Sequence, residues 1–217
     1  MRFKDIRTFV KMYVQRCLGN RHEKKVLDVG SGHRPNKEAT HLVDLWQENN
    51  SERGKSIKRH GRPLIVATLE ALPFKDQTFD YIIASHVVEH VEDPTQACNE
   101  LIRVGRAGYV ETPSPFYEQG YNFPNPIRRG WSFHRWFVFL DDNQTLIFEP
   151  KNQQTIDTFC DCRYSHFIKG LYSKVDDLNR MGEVLPHDCN NTVLHWKGRF
   201  QFHIRSNPQV IAPRAKA

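Results

Sequence analysis

Short apolar runs alternate along the first half of the chain with polar segments that contain glycine and proline. The apolar runs predict five strands, at residues 25–29, 41–45, 64–68, 80–85 and 108–112. A helix is predicted at residues 94–104, because Asp93 is a favourable N-cap and Pro94 suits the first helical position. Strands joined by such crossovers predict an α/β fold with a Rossmann-like, doubly wound, mostly parallel sheet.

The two ends of this region carry further elements. Residues 1–22 have apolar residues on one helical face and basic residues on the other. We expect this helix to pack on the protein's own sheet, although basic amphipathic helices can also lie on membranes. The second half predicts a helix at 155–170 and two hairpins, made by strands 136–140 and 145–149 and by strands 193–196 and 200–205.

The pattern predicts one domain over residues 1–205. Within it, residues 116–150 form an insertion after the fifth strand, and this insertion carries the first hairpin. Residues 206–217 have no periodicity and are expected to form a flexible tail. A chain of 217 residues is long enough to bury the core of one such domain.

Charge narrows the choice of partners only slightly. The net charge of +6 and the sequence pI of about 9.1 suit an anionic partner such as nucleic acid. The basic residues are spread along the chain, however, and the densest group comprises Lys55, Lys58, Arg59, His60 and Arg62. We interpret this group as a solvated surface, so that a nucleic-acid partner is an alternative that we do not favour.

Cysteine usage and hydropathy bear on the compartment. The sequence has no apolar run that could span a bilayer and no secretory leader, and its five scattered cysteines favour the reducing cytoplasm. One group contains residue types that bind zinc: Cys160, Cys162, His166, His187 and Cys189. Its C-x-C spacing differs from that of structural zinc sites, so we expect ordinary buried thiols and predict no metal.

Candidate binding residues lie where the predicted strands end, because ligands of an open parallel sheet bind outside the carboxyl ends of its strands. These residues are Gly30, Gly32, Asp44, Thr68, Ser85 and Glu111. The two glycines permit a tight turn and a close approach of the backbone to a ligand. An acidic residue at the end of the second strand suits two ribose hydroxyls. The sequence therefore predicts a nucleoside-containing ligand.

Four segments in this order resemble a known family: residues 28–32 (Asp-Val-Gly-Ser-Gly), Asp44, residues 70–74 (Glu-Ala-Leu-Pro-Phe) and residues 79–90, which include Ser-His-x-x-Glu-His. Together they resemble the class I S-adenosylmethionine-dependent methyltransferases, most closely the small-molecule branch. The resemblance covers residues 25–112. A nicotinamide-dependent Rossmann enzyme is disfavoured, because Pro35 stands where its G-x-G-x-x-G motif requires the last glycine.

The resemblance implies a seven-stranded sheet and S-adenosylmethionine as the cofactor. Gly30 and Gly32 would meet the methionine part, Asp28 its ammonium group and Asp44 the ribose hydroxyls. The segment after the third strand would hold the adenine, and the end of the fourth strand would line the transferable methyl group. The cofactor-binding residues implied in full are Asp28, Gly30, Gly32, Asp44, Leu45, Thr68, Leu69, Glu70, Ser85 and His86.

One position departs from the family's pattern. Members of the family usually place an aspartate two residues before the glutamate of the Leu-Pro-Phe segment, where it accepts a hydrogen bond from the adenine amine. This chain has Thr68 there, and its uncharged hydroxyl should make a weaker bond.

Methyl transfer to a hydroxyl needs a base that removes its proton. His86, Glu111 and His134 are the catalytic candidates near the carboxyl edge of the sheet. His90 is less favoured, because a helix predicted there would turn it toward the sheet. His134 belongs to an aromatic segment, residues 131–137, which either covers the acceptor as a lid or packs on the core.

We therefore predict a methyltransferase that uses S-adenosylmethionine and acts on a small-molecule or saccharide-type acceptor, with oxygen as the target atom. Two alternatives are an RNA methyltransferase and a non-catalytic module that binds S-adenosylmethionine. The sequence identifies neither the acceptor nor the oligomeric state.

Overall fold

The computed structural model describes residues 11–12, 14–15, 24–46, 55–120, 131–152 and 190–205. In chain order the elements are β1 (Val26–Val29), β2 (His41–Asp44), β3 (Leu64–Val66), β4 (Tyr81–Ser85), α1 (Pro94–Val104), β5 (Ala107–Pro113), α2 (Pro115–Gly120), β6 (Trp136–Leu140), β7 (Leu146–Pro150), β8 (Asn191–Lys197) and β9 (Phe202–Ile204). The helix predicted at 155–170, the tail at 206–217 and most of residues 1–22 lie outside the described residues.

The main sheet has the order β3-β2-β1-β4-β5-β8. The first five of these strands are parallel, and β8 runs antiparallel to β5. The strand order reverses between β1 and β4, which is the switch point where ligands of such sheets bind. The predicted doubly wound, mostly parallel α/β fold is confirmed, and the described residues supply six strands of this sheet rather than the expected seven.

A second, three-stranded sheet has the order β6-β7-β9. Strands β6 and β7 form the hairpin that the sequence predicted after β5. The second predicted hairpin is wrong, because β8 pairs with β5 in the main sheet whereas β9 runs parallel to β7. Residues 193–205 therefore link the two sheets, and local turn residues could not reveal that these strands pair with distant partners.

Helix α1 has the predicted bounds. The Asp93 carboxylate caps its first turn by accepting hydrogen bonds from the backbone N–H groups of Thr95 (2.8 Å) and Gln96 (3.1 Å). Its buried face carries Ala97, Cys98, Leu101 and Val104. These residues share one hydrophobic core with the main sheet and with the second sheet. Among the described residues, no helix combines the length and apolar character needed to cross a bilayer.

The opposite face of the main sheet has its own smaller cluster. Tyr81 and Tyr109 are buried there together with Val14, which lies in a described helical segment near the N-terminus. Val14 belongs to the segment for which the sequence predicts an amphipathic helix, and most of that segment lies outside the described residues. Both faces of the main sheet thus carry buried apolar side chains, as its nearly continuous apolar strands require.

The β5–β8 pairing makes a testable claim about stability. Gly108 lies opposite Trp196, and a Cβ atom at Gly108 would lie 2.6 Å from the buried indole ring. We expect Gly108→Ala to lower the free energy of unfolding by about 1–3 kcal/mol, because an overpacked core ring cannot move aside. Urea denaturation measures this loss. In Trp196→Leu protein the same glycine substitution should cost clearly less, whereas equal costs in the two backgrounds would contradict the pairing.

Candidate functional site

The candidate site lies at the carboxyl edge of the main sheet. Strand register brings the ends of its central strands level: Val29 of β1 pairs with Ala84 of β4, and Ser85 pairs with Glu111 of β5. Residues that follow these strands therefore converge although they lie far apart in the sequence. The sequence predicted this convergence.

The turn after β1 is shaped by its two glycines. Gly30 has φ +67° and Gly32 has φ +53°, a region that side chains disfavour. The N–H groups of Gly30 and Ser31 both donate to the Val43 carbonyl, at 2.9 and 3.1 Å. A Cβ atom at Gly30 would lie 2.8 Å from the Val87 side chain. The loop after β4 thus needs the absence of a side chain at Gly30.

Asp44 closes β2 beside this turn. One carboxylate oxygen accepts a hydrogen bond from the Gly32 N–H (2.9 Å), and the other accepts from the Trp46 N–H (3.1 Å). The carboxylate is therefore fixed in position next to the glycine turn. Leu45 and Trp46, which follow it, are about half exposed, and they place apolar surface beside the carboxylate.

Asp28, inside β1, is buried and has a raised pKa. Its carboxylate accepts a short hydrogen bond from the Asn36 N–H (2.6 Å). Burial raises the pKa of Asp28 to about 7, and the Asn36 bond and the nearby Arg62 charge oppose this shift only in part. Arg62 also donates to the backbone carbonyls of Asn36 and Ala39. The sequence had placed Arg62 in a solvated basic surface, but it holds the loop that contacts Asp28.

The segment expected to hold adenine is tied down by Glu70. The Thr68 hydroxyl donates to the Glu70 carboxylate. The other oxygen of that carboxylate accepts from the N–H groups of Glu92 (2.6 Å) and Asp93 (3.0 Å), at the start of α1. Burial raises the pKa of Glu70, but these hydrogen bonds outweigh it and lower the pKa overall. The carboxylate thus fixes the loop after β3, and Leu69 within that loop is buried.

Glu111 and His86 meet where β4 and β5 end. Glu111 is fully buried, and its carboxylate accepts hydrogen bonds from the Tyr109 hydroxyl and from the Ser85 hydroxyl (3.3 Å). The His86 N–H donates to the Glu111 carbonyl (2.8 Å). His86 has φ +54°, a conformation that costs a residue other than glycine about 1 kcal/mol or more.

The His86 ring lies between two buried carboxylates. Its Nδ1 is 3.5 Å from a Glu89 oxygen and its Nε2 is 3.8 Å from a Glu111 oxygen, while 42% of the side chain remains exposed. Desolvation lowers the pKa of His86, but the close contact with Glu89 and the negative charges of Glu89 and Glu111 outweigh it and raise the pKa above its ordinary value. His86 is therefore both accessible and held by carboxylates.

A second group of side chains lies beside His86. Glu89 is 1% exposed, and neither carboxylate oxygen has a hydrogen-bond partner among the described residues. His90 Nε2 is 3.9 Å from Glu89, and ligand-type atoms of Glu89, His90 and His134 all lie within 4.8 Å of one another. The His90 position corrects an expectation, because residues 87–90 form a turn rather than a helix and the ring stacks on Phe133.

His134 is held from its other side. Its Nδ1 donates to the Glu118 carboxylate (2.7 Å), which also accepts from the Trp131 N–H (2.9 Å) and from the Lys151 ammonium group. Glu118 and Lys151 are both buried. Neither residue could be found from the sequence, because nothing in the spacing of 118, 134 and 151 shows that they meet.

The aromatic segment 131–137 was expected either to cover the acceptor as a lid or to pack on the core, and different residues of it suit each role. Phe137 is buried in β6, and the Trp136 indole donates to the Val91 carbonyl (2.8 Å), so both pack as core residues. Phe133 instead stacks on the His90 ring (centroids 5.6 Å apart) and remains 36% exposed. Only the first part of the segment is thus available to an acceptor.

The structure places the three predicted catalytic residues in one neighbourhood. Glu89 connects His86, which lies near Glu111, to His134. The group formed by Cys160, Cys162, His166, His187 and Cys189 lies outside the described residues.

Part of the chain is similar in sequence to a known protein family. Residues 27–109 match the family model described as "Methyltransferase domain". An uncharacterized protein of Methanocaldococcus jannaschii, MJ1123, is 36% identical over 66 residues, which are 30% of this chain and 32% of that protein. The chain therefore spans about a third of the length of this relative.

Two solved structures align with parts of the chain at low sequence identity. YcgJ of Bacillus subtilis is 15% identical, with a TM-score of 0.40 and coverage of 88% of this chain and 94% of that chain. The [4+2]-cyclase SpnF is 20% identical, with a TM-score of 0.36 and coverage of 48% of this chain and 44% of that chain.

The domain match covers 83 of the 217 residues, which is less than half of the chain. Residues 27–109 are thus similar to a methyltransferase domain, and the methyl donor that such a domain implies is S-adenosylmethionine. The parallel strands β1 to β5 lie within or next to this match, and they carry the edge described above.

The buried Asp28 predicts a dependence of stability on pH. Its folded pKa of about 7 exceeds the value of about 3.9 in an unfolded chain, so the folded state binds this proton more tightly. The free energy of unfolding should therefore fall as the pH rises from about 4 through 7. Urea denaturation measures the free energy of unfolding at pH 5 and at pH 8. The decrease between these two pH values should be smaller in Asp28→Asn than in the wild type by about 2–3 kcal/mol.

The matched control is Asp142→Asn, which changes an exposed carboxylate in the turn between β6 and β7. This variant should keep the pH dependence of the wild type. An Asp28→Asn protein that loses stability between pH 5 and pH 8 as steeply as the wild type would contradict the burial argument.

Proposed function

We propose that this protein is an S-adenosylmethionine-dependent methyltransferase that methylates an oxygen of a small-molecule or saccharide-type acceptor. The observation that carries the proposal is the Asp44 carboxylate, which is fixed beside a turn with two glycines at positive φ, next to the switch point of the sheet. An acidic residue in this position suits the two hydroxyls of a ribose.

The residues present fit the cofactor. Asp44 would hold the ribose, with the half-exposed Leu45 and Trp46 beside the adenosyl group. The turn of Gly30 and Gly32 would hold the methionine part. Asp28 would support that turn through the loop at Asn36, since its carboxylate already bonds to that loop. Thr68 and Glu70 bond to each other, so we propose that the backbone near Leu69 holds the adenine.

His86 is the proposed base. When bound, S-adenosylmethionine supplies an electrophilic methyl group on its sulfonium sulfur. His86 is the exposed titratable group at the ends of β4 and β5, and it can accept a proton from an acceptor hydroxyl as the oxygen attacks. Its strained backbone, held by the Glu111 carbonyl, fixes the ring at this edge.

Glu111 acts as a positioning residue in this proposal. It is fully buried and bonded to Tyr109 and Ser85, so it supports His86 instead of contacting the acceptor. The buried Glu89 adds another carboxylate near the same edge. Glu89 and Glu111 favour a neutral hydroxyl acceptor over RNA, because phosphates would be repelled where the reaction takes place.

Two variants should affect cofactor binding and methyl transfer separately. Asp44→Ala should weaken S-adenosylmethionine binding at least about tenfold, because the ribose loses hydrogen bonds to a charged group. His86→Asn should bind the cofactor like the wild type but transfer methyl groups about 10²–10⁴-fold more slowly. Asparagine suits this test because it tolerates positive φ better than most residues.

Calorimetric titration measures the first effect, and transfer of radiolabelled methyl groups to a panel of hydroxyl acceptors measures the second. Asp142→Asn is the binding control. Wild-type protein that fails to bind S-adenosylmethionine at millimolar concentration would overturn the proposed function. Equal turnover by His86→Asn and wild-type protein would remove His86 from the base role.

A further inference from the structure

The group of Glu89, His90 and His134 has the composition of a metal site. Two imidazoles and one carboxylate form the ligand set of several catalytic zinc and iron centres, in which open coordination positions remain for water or substrate. The ligand-type atoms of the three residues lie within 4.8 Å of one another. Tetrahedral zinc, with bonds of about 2.1 Å, separates its ligands by about 3.4 Å, so side-chain shifts of about an ångström would close the site.

Glu89 supplies an independent observation. The carboxylate is 1% exposed, and neither oxygen has a hydrogen-bond partner among the described residues. A buried carboxylate that accepts no hydrogen bond is unfavourable unless nearby positive charge compensates it. Two imidazoles approach it, at 3.5 Å for His86 and 3.9 Å for His90. A divalent cation bound to Glu89 would offset this cost directly.

The surroundings of His134 supply a further reason. Its Nδ1 donates to Glu118, since a carboxylate can only accept, and its Nε2 is left to act as a ligand. The Lys151 ammonium group pairs with the same Glu118 carboxylate. A carboxylate behind a histidine is the usual outer partner that orients metal-binding imidazoles.

We propose that Glu89, His90 and His134 bind a divalent transition-metal ion, with zinc the best fit to the ligand set. Glu118 positions His134, and Phe133 shields the His90 ring by stacking on it. No metal was predicted from the sequence, where only the cysteine-containing group was considered. The three residues proposed here join a turn to a segment more than forty positions away and match no spacing motif.

The ion would also take part in methyl transfer, a step that rests on the proposed function. It would lie beside His86, whose ring approaches Glu89, and would bind the acceptor hydroxyl and lower its pKa. His86 takes the proton as the O–H bond breaks. The new O–C bond forms while the bond from methyl carbon to sulfur breaks, which leaves S-adenosylhomocysteine.

The test measures metal binding without activity. Protein freed of metal by chelation is titrated with Zn²⁺, Co²⁺ and Mg²⁺, and bound metal is counted by mass spectrometry. We expect one Zn²⁺ or Co²⁺ per chain. His90→Asn removes a ligand, so it should lower the metal affinity by more than about 10-fold, which is the loss that removal of an outer partner can cause. His203→Asn, which changes an exposed histidine of β9, should bind like the wild type.

Two further measurements keep the result unambiguous. Circular dichroism checks that His90→Asn is folded, and this partly exposed residue is less risky to replace than Glu89. The double variant Cys160→Ser/Cys162→Ser removes thiolates elsewhere in the chain, and it should retain the ion. Binding that survives His90→Asn but is lost in the cysteine variant would overturn the proposal, as would binding of Mg²⁺ alone or of no metal.

Titration of the same samples with S-adenosylmethionine separates the two proposals. Cofactor binding without metal binding would overturn the metal site and leave the proposed function standing. Metal binding without cofactor binding would overturn the proposed function and leave the metal site standing.

Discussion

The pairing of β4 with β5 is the constraint on which the site depends. It places Ser85 opposite Glu111 and lets the Glu111 carbonyl accept a hydrogen bond from the His86 N–H. That bond holds His86 in a backbone conformation that few side chains adopt. The ring is thereby held between the carboxylates of Glu89 and Glu111, and its exposed part faces solvent at the edge of the sheet. A shift in register would separate all of these groups.

This edge of the sheet also buries several acidic side chains. Asp28, Glu89, Glu111 and Glu118 are all nearly inaccessible to solvent. Three of them have a distinct means of tolerating burial: a raised pKa for Asp28, hydroxyl donors for Glu111 and a buried lysine side chain for Glu118. Glu89 accepts no hydrogen bond in the described part of the chain and has the His86 and His90 rings at 3.5 and 3.9 Å, which is why the metal site is proposed there. Sites that concentrate buried charge in this way are typical of catalysis.

The first half of the fold could be predicted from the sequence because its signals are local. Apolar runs fixed the parallel strands, and Asp93 with Pro94 fixed the start of α1. The glycine turn and Asp44 could be placed at one edge, since parallel strands bring their carboxyl ends together. These local rules account for the predicted cofactor side of the site.

The second half could not be predicted, because long-range pairing decides it. Strands β8 and β9 are separated by a glycine turn that signals a hairpin, yet they join different sheets, where Trp196 packs against Gly108 and Phe202 pairs with Leu146. His90 was misjudged for a related reason, since the expected helix is a turn. The contact of His134 with Glu118 depends on the same tertiary arrangement and has no local sequence signal.

The central claim is that this edge binds an adenosyl cofactor through Asp44 and presents it to His86. A crystal structure of the protein grown with S-adenosylhomocysteine tests it most directly. The account predicts electron density with the ribose hydroxyls on the Asp44 carboxylate, the amino-acid part along the turn of Gly30 and Gly32, and the sulfur on the side of His86. Density for the ligand at any other place, or an unchanged edge at saturating ligand, would contradict it.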